Sequence, residues 1–177
     1  MSDHRDNWIQ TSTGRPFYPF RPEDSEIVIE DVAHALSNLC RFGGHVRQFY
    51  SVAQHCVHVS ELVEPRFALR GLLHDASEAF LVDVPSPIKV ALTRYRELEA
   101  RVQAAVYQRF GLQGVEEPDV KDADLVLLST EARDLMPNPA WIWSLPLPPS
   151  DTLKIDPWEP DHAKAAFLRR FAEVRIR

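Results

Sequence analysis

Cysteine is scarce: only two of the 177 residues, Cys40 and Cys56, carry a thiol. They lack the CxxC or zinc-ribbon spacing of a redox or structural-zinc motif, so they read as reduced core thiols. Long apolar runs are missing too. No stretch approaches the roughly 18 residues that a membrane span requires. The opening segment, with Asp3, Asp6, Trp8, Gln10 and several prolines, holds no apolar signal-peptide core. A soluble cytoplasmic protein without a membrane partner is expected. Positive charge is not in excess either, since 20 Lys and Arg stand against 26 Asp and Glu for a net charge of -6. That excludes general binding to a nucleic-acid polymer, which needs a broad cationic surface. A small anionic substrate, met by a few basic side chains in a cleft, stays open.

Hydrophobic residues make up 45% of the chain, enough for one core in a single domain spanning 1–177. No internal repeat is visible. Residues 1–28 read as a hairpin and lead-in: WIQT, a turn around Ser12-Thr13-Gly14, then RPFY. From Ile29 the pattern turns helical, with Val32, Ala33, Leu36, Leu39 and Cys40 in register and Gly43-Gly44 as the stop. Ser51 caps a helix that runs to about Val63 and closes at Glu64-Pro65. The next helix is expected from Arg66 to Phe80. Ser86-Pro87 then reads as cap and first turn of a short helix ending before Thr93. Helices follow over Tyr95–Phe110, closed by Gly111, and over Pro118–Met136. Residues 137–160 are proline-dense and hold Trp141, Trp143 and Trp158; a packed surface loop is expected, with a disordered linker as the alternative. A last amphipathic helix covers Asp161–Val174. The fold class is therefore all-α with a short N-terminal β-hairpin.

Three of these helices carry polar groups where apolar ones belong. On the helix after Ser51, Val52, Val59, Leu62 and Val63 define an apolar arc at about 100° per residue, and His55 falls inside it. A lone histidine there is more often a satisfied core residue than a ligand. On the helix from Arg66, Leu69, Leu72, Leu73 and Ala76 form a stripe, with His74, Asp75 and Glu78 clustered nearly opposite, where a solvated face is the plainer reading. The turn at Glu64-Pro65 makes these helices an antiparallel pair, and His55 and His74 lie equally far from its midpoint, which brings their imidazoles level. On the helix from Pro118, Asp124 sits amid Val120, Leu127, Leu128 and Leu135, with Glu131 above it two turns on. A core-facing carboxylate is costly unless paired or bound to metal. Arg41 or Arg133 are candidate partners; a metal accounts for His55, His74, Asp75 and Asp124 together.

The order His55, His74-Asp75, Asp124 resembles the H…HD…D signature of the HD-domain phosphohydrolase superfamily. HDASEAFLVDVPSPIK (74–89) is similar to the core of bacterial HD-domain 5'-deoxynucleotidases. SNLCRFGGH (37–45) and SVAQH (51–55) resemble phage and prophage relatives, including deoxynucleoside triphosphate hydrolases. The resemblance runs from about Trp8 to Met136, with a shorter span between His55 and His74 than in the longer nucleotidases. It implies an HD-type helical bundle, one divalent transition metal (Mn, Co, Ni, Fe or Zn) on the four ligands, and a deoxynucleotide substrate.

The resemblance also implies roles. Glu78 matches the family's general acid/base, and Asp83 a residue that organises the leaving group or sugar. Arg41 is expected to clamp a phosphate through its planar guanidinium. Phe42 stands where the deoxynucleotidases carry a tryptophan near the sugar. His45 is a candidate phosphate contact and Lys89 a second positive charge. The expected activity is release of phosphate from a deoxynucleoside monophosphate. A triphosphohydrolase of the same fold, and a non-catalytic nucleotide- or protein-binding regulator, are the alternatives. The related enzymes suggest a homo-oligomer, with the tryptophan-rich loop offering apolar surface.

Overall fold

A computed structural model describes residues 7–113, 118–137 and 144–175. Strand β1 (Ile9–Gln10) pairs antiparallel with β2 (Pro16–Phe17), and Gly14 takes the left-handed φ of +85° in the turn between them. Phe17 is buried and stacks on Phe80 with ring centroids 3.9 Å apart. The hairpin thus closes one end of the helical core. Its turn is tied to the first helix through Asp31, which accepts hydrogen bonds from Ser12 Oγ (2.6 Å), Thr13 N (2.8 Å) and Thr13 Oγ1 (2.7 Å).

Helix α1 (Ile29–Asn38) buries Val32, Ala33 and Leu36, as its periodicity predicts. It ends before Gly43-Gly44, contrary to the expectation. Leu39 and Cys40 turn extended and the chain pairs with the approach to the next helix, Val52 N donating to Leu39 O (3.0 Å) and Arg41 N to Tyr50 O (2.9 Å). A tertiary bridge, not the glycine pair, stops the helix. The glycines instead form part of a tight turn over Arg41–Gly44.

Helix α2 (Val52–Leu62) begins with Ser51 Oγ accepting from Gln54 N (3.1 Å), the cap that the sequence predicts. Every residue from Val52 to Ser60 is buried, so α2 is the spine of the fold. Val52, Ala53, Cys56 and Val57 pack into the larger hydrophobic cluster, with Phe17, Leu36, Leu72, Val102 and Phe167. Val59 and Val63 face a second cluster around Tyr50, Leu127 and Ile155.

The single helix expected over Arg66–Phe80 is broken. A 3-10 turn (Pro65–Phe67) leads into α3 (Ala68–Leu73), residues 74–77 form tight turns, and α4 (Glu78–Leu81) follows. Gly71 lets α3 approach α2 closely: a Cβ there would lie 3.2 Å from Ser60 Cα. Helix α5 (Ser86–Lys89) also differs in detail, because Ser86 is its first helical residue and Pro85 precedes it without a side-chain cap.

Helices α6 (Thr93–Arg109), α7 (Pro118–Leu135) and α8 (Pro160–Arg175) complete the bundle close to their expected limits. Trp141 and Trp143 lie outside the described residues. The described part of the proline-dense segment is fastened to the body. Arg133 donates to Ser150 O and Leu153 O, and Gln54 of α2 bonds Asp156 O and Trp158 N. Among the described residues no helix is long and apolar enough to cross a membrane.

Burial pushes the Asp31 carboxyl up, but the bonds from Ser12 and Thr13 outweigh it and lower its pKa. Asp31→Asn is therefore expected to cost about 2 kcal/mol in urea unfolding at pH 7, the scale of hydrogen bonds to a charged group. The folded carboxyl titrates below its unfolded value of about 3.9. The wild-type advantage should be complete above that value and disappear as pH falls through the folded one.

Candidate metal centre

Three elements carry polar side chains into one spot. His55 comes from the middle of α2, His74 and Asp75 from the turns after α3, and Asp124 from the second turn of α7. His55 Nε2 lies 3.2 Å from His74 Nε2, 3.5 Å from Asp75 Oδ2 and 3.3 Å from Asp124 Oδ1. His74 Nε2 is 3.2 Å from Asp75 Oδ2. His55, His74 and Asp75 offer donor atoms all within 4.8 Å of one another, a group that can hold a metal ion. Asp124 reaches His55 but is not one of the three mutually close donors.

The tautomers of the two rings decide what this cluster can be. His74 Nδ1 lies 2.8 Å from Gly71 O, a carbonyl that can only accept, so Nδ1 carries the proton. His55 Nδ1 lies 2.6 Å from Glu131 Oε1 and donates to that carboxylate in the same way. With Nδ1 committed, each ring turns Nε2 toward the carboxylates. Burial alone would lower the His74 pKa, but Asp75 outweighs it and raises it well above the usual value, so the positive charge these atoms need can come from a proton on His74 or from a metal ion. His55, His74 and Asp75 can hold a metal ion, and the Glu131–His55 and Gly71–His74 bonds are outer support of the kind that metal-binding histidines normally have.

Glu131 is the residue that sequence reasoning placed without using. It is fully buried, and burial alone would favour its neutral form. Arg41 and His55 outweigh that and keep it ionised, Arg41 Nη2 donating to Glu131 Oε2 at 3.1 Å. Arg41 Nη1 also lies 3.5 Å from Asp75 Oδ2, so one guanidinium braces both Asp75 and the carboxylate that holds His55. The alternative pairing of Asp124 is not seen with either arginine: Arg133 pairs with Asp134, while Lys121 Nζ donates to Asp124 Oδ2 at 2.8 Å.

The carboxyls around the cluster separate into two kinds. Burial opposes ionisation of Asp75 and Asp124, yet the neighbouring imidazoles pull both pKa values well below the carboxylate range. Glu78 goes the other way. It is buried, and that burial, together with repulsion from Asp75 and Asp83, raises its pKa well above the usual value despite Lys89 and Arg41. Lys89 Nζ donates to Glu78 Oε1 (3.2 Å) and Glu99 Oε1 (2.6 Å), while Glu78 Oε2 is buried with no hydrogen-bond partner. Asp83 is half-buried, raised by its own burial and by Asp75, with Arg41 opposing. Phe42 lies beneath the Arg41 guanidinium, 5.4 Å from its ring centroid, in a left-handed backbone conformation (φ +58°). His45 is exposed, and among the described residues no hydrogen bond links its ring to the cluster. A cavity of about 650 Å³ opens on His74 and Asp75 and runs along α6, lined by Ser77, Lys89, Arg96 and Gln103 among others.

No family model matches the chain. The uncharacterized protein YfdR of Escherichia coli (strain K12) is 40% identical over 170 residues, covering 95% of this chain and 96% of that protein. The chain belongs to the YfdR family. An uncharacterized Rhodobacter capsulatus protein is 38% identical over 126 residues, which are 66% of this chain and 64% of that one. Neither relative carries a name that states an activity, so the chemistry of this YfdR-family chain is argued from its own cluster.

If Asp124 is a ligand and Glu131 its neighbour's support, two variants should separate from wild type in calorimetric titration with Co(II). Asp124→Ala should lose most of the affinity, and Glu131→Gln should weaken it about 10–100-fold, the usual effect of removing a ligand's hydrogen-bond partner. Equal affinities in all three proteins would remove both residues from the site.

Proposed function

We propose that this chain is an HD-type, divalent-metal-dependent phosphohydrolase acting on deoxynucleotides, and that it releases phosphate from deoxynucleoside monophosphates. The observation that carries the reading is the convergence of two imidazole Nε2 atoms with the carboxylates of Asp75 and Asp124 beside a buried glutamate of raised pKa. His55, His74, Asp75 and Asp124 would hold one ion of the Mn, Co, Ni, Fe or Zn class. When bound, that ion supplies Lewis acidity toward a phosphoryl oxygen and activates water near neutral pH.

The chain's own residues supply the rest. Glu78 has one oxygen held by Lys89 and the other without a partner, so Oε2 is the atom at which a proton is taken up or given back. Its raised pKa brings it toward the operating pH, where general acid/base catalysis works best. Lys89, held between Glu78 and Glu99, keeps Glu78 oriented and adds positive charge at the cavity wall. Arg41 gives a second fixed charge beside Asp75, placed to meet phosphate oxygens when substrate enters. Asp83 stands within electrostatic reach of Arg41, Asp75 and Glu78, consistent with a role at the leaving group. Phe42 offers an apolar ring for the sugar side, and His45 is the outermost of the proposed substrate contacts. A chain with net charge -6 can take an anionic substrate here because these cations are local.

A panel of deoxynucleoside mono- and triphosphates, assayed with Mn or Co, tests the reading. Inorganic phosphate from monophosphates is expected; triphosphate released from triphosphates would favour the related triphosphohydrolase. Glu78→Gln should lower kcat by roughly 10²–10⁴-fold, the usual weight of a proton-transfer group. Metal-loaded protein that binds nucleotides but turns none over would point to a non-catalytic regulator instead.

A further inference from the structure

The break between α3 and α4 falls on the two residues of the metal cluster that are adjacent in sequence, and a side chain from α6 sits in it. In a continuous α-helix the Ser77 amide would donate to the Leu73 carbonyl, four residues back. Neither group uses the other. Gln103 Nε2 donates to Leu73 O at 2.6 Å, and Gln103 Oε1 accepts from Ser77 N at 2.9 Å. The partners fix the orientation of the amide, since Leu73 O can only accept and Ser77 N can only donate. One carboxamide therefore occupies the rung that encloses His74 and Asp75. Within the opened rung the backbone tightens to three-residue bonds, Ala76 N to Leu73 O (3.1 Å) and Glu78 N to Asp75 O (3.0 Å). Insertion of a side chain into the helical ladder is a known cause of a sharp change in direction.

We propose that Gln103 is a positioning residue for the metal centre, wedging the helix open so that His74 and Asp75 reach the donors of α2 and α7. This rests on the metal reading above. Nothing in local sequence opens the helix here: residues 74–77 include no glycine or proline, and Ser77 keeps helical backbone angles (φ -61°, ψ -28°). What distinguishes the segment is the foreign amide. Its removal would leave Leu73 O and Ser77 N free to approach each other, restoring the rung and drawing the Asp75 carboxylate away from His55. The same amide lines the cavity that opens on His74 and Asp75, so it faces the site and not the core.

The test uses the full chain and Co(II) as the probe. Gln103→Met keeps the length of the side chain and loses both bonds; Gln103→Glu keeps the acceptor and loses the donor. Both should bind Co(II) about tenfold or more weakly, as loss of ligand support does elsewhere, and should alter the visible absorption of the Co(II)-loaded protein. Their melting temperatures without metal should stay near that of wild type. A folded variant with unchanged Co(II) affinity and spectrum overturns the inference. Wild-type protein that takes up no Co(II) sinks the metal reading and this inference with it. Amide hydrogen exchange of wild-type Ser77 needs no variant: protection supports the bond to Gln103, and exchange at the rate of an open loop overturns it.

Discussion

Charge compensation at the centre of the bundle is the constraint on which the rest depends. Two imidazoles have Nδ1 committed outward, to Glu131 and to Gly71 O, and their Nε2 atoms share a few ångströms with two ionised carboxylates. A fold would not gather such atoms without compensation, because a buried charge or lone pair without a partner is expensive. Arg41 and Lys121 offset part of this from the rim. The remainder can be met by a proton on His74 or by the metal ion proposed above. The polar residues of α2, of the turns after α3 and of α7 form one unit, and the surrounding hydrophobic clusters hold these segments at the distance that unit requires.

The sequence made much of this legible because the site residues offend local patterns. His55 stands in an apolar arc of α2, and the structure buries it completely. Asp124 lies among Val120, Leu127 and Leu135, and it is drawn into the cluster where a surface aspartate would face water. The antiparallel turn at Glu64-Pro65 was enough to bring His55 and His74 level. Periodicity fails where tertiary contacts overrule it. It runs α1 on to Gly43-Gly44 because nothing local reveals that Leu39 and Arg41 will pair with residues 50–52. It runs one helix through residues 66–80 because the interrupting group, Gln103, lies on a different helix. Glu131 was visible as a neighbour of Asp124 on α7, but its bond to His55 spans 76 residues and leaves no local trace.

The two fates of carboxyl groups within one small volume follow from what each one touches. Asp75 and Asp124 meet imidazoles and stay ionised; Glu78 is buried near the carboxyls of Asp75 and Asp83, with Lys89 alone among the described residues bonded to its side chain, and holds its proton more tightly. Divergent environments of this kind let identical functional groups serve as ligand in one place and proton carrier in another.

Gly71 gives the arrangement its scale. Its missing side chain sets how near α3 can lie to the Ser60 backbone, and its carbonyl holds the His74 ring by Nδ1. Separation and tilt of the facing imidazole are thus governed from a single position that offers the cluster no donor of its own. A methyl group there would press on Ser60 Cα at 3.2 Å and push back the carbonyl that steadies the ring.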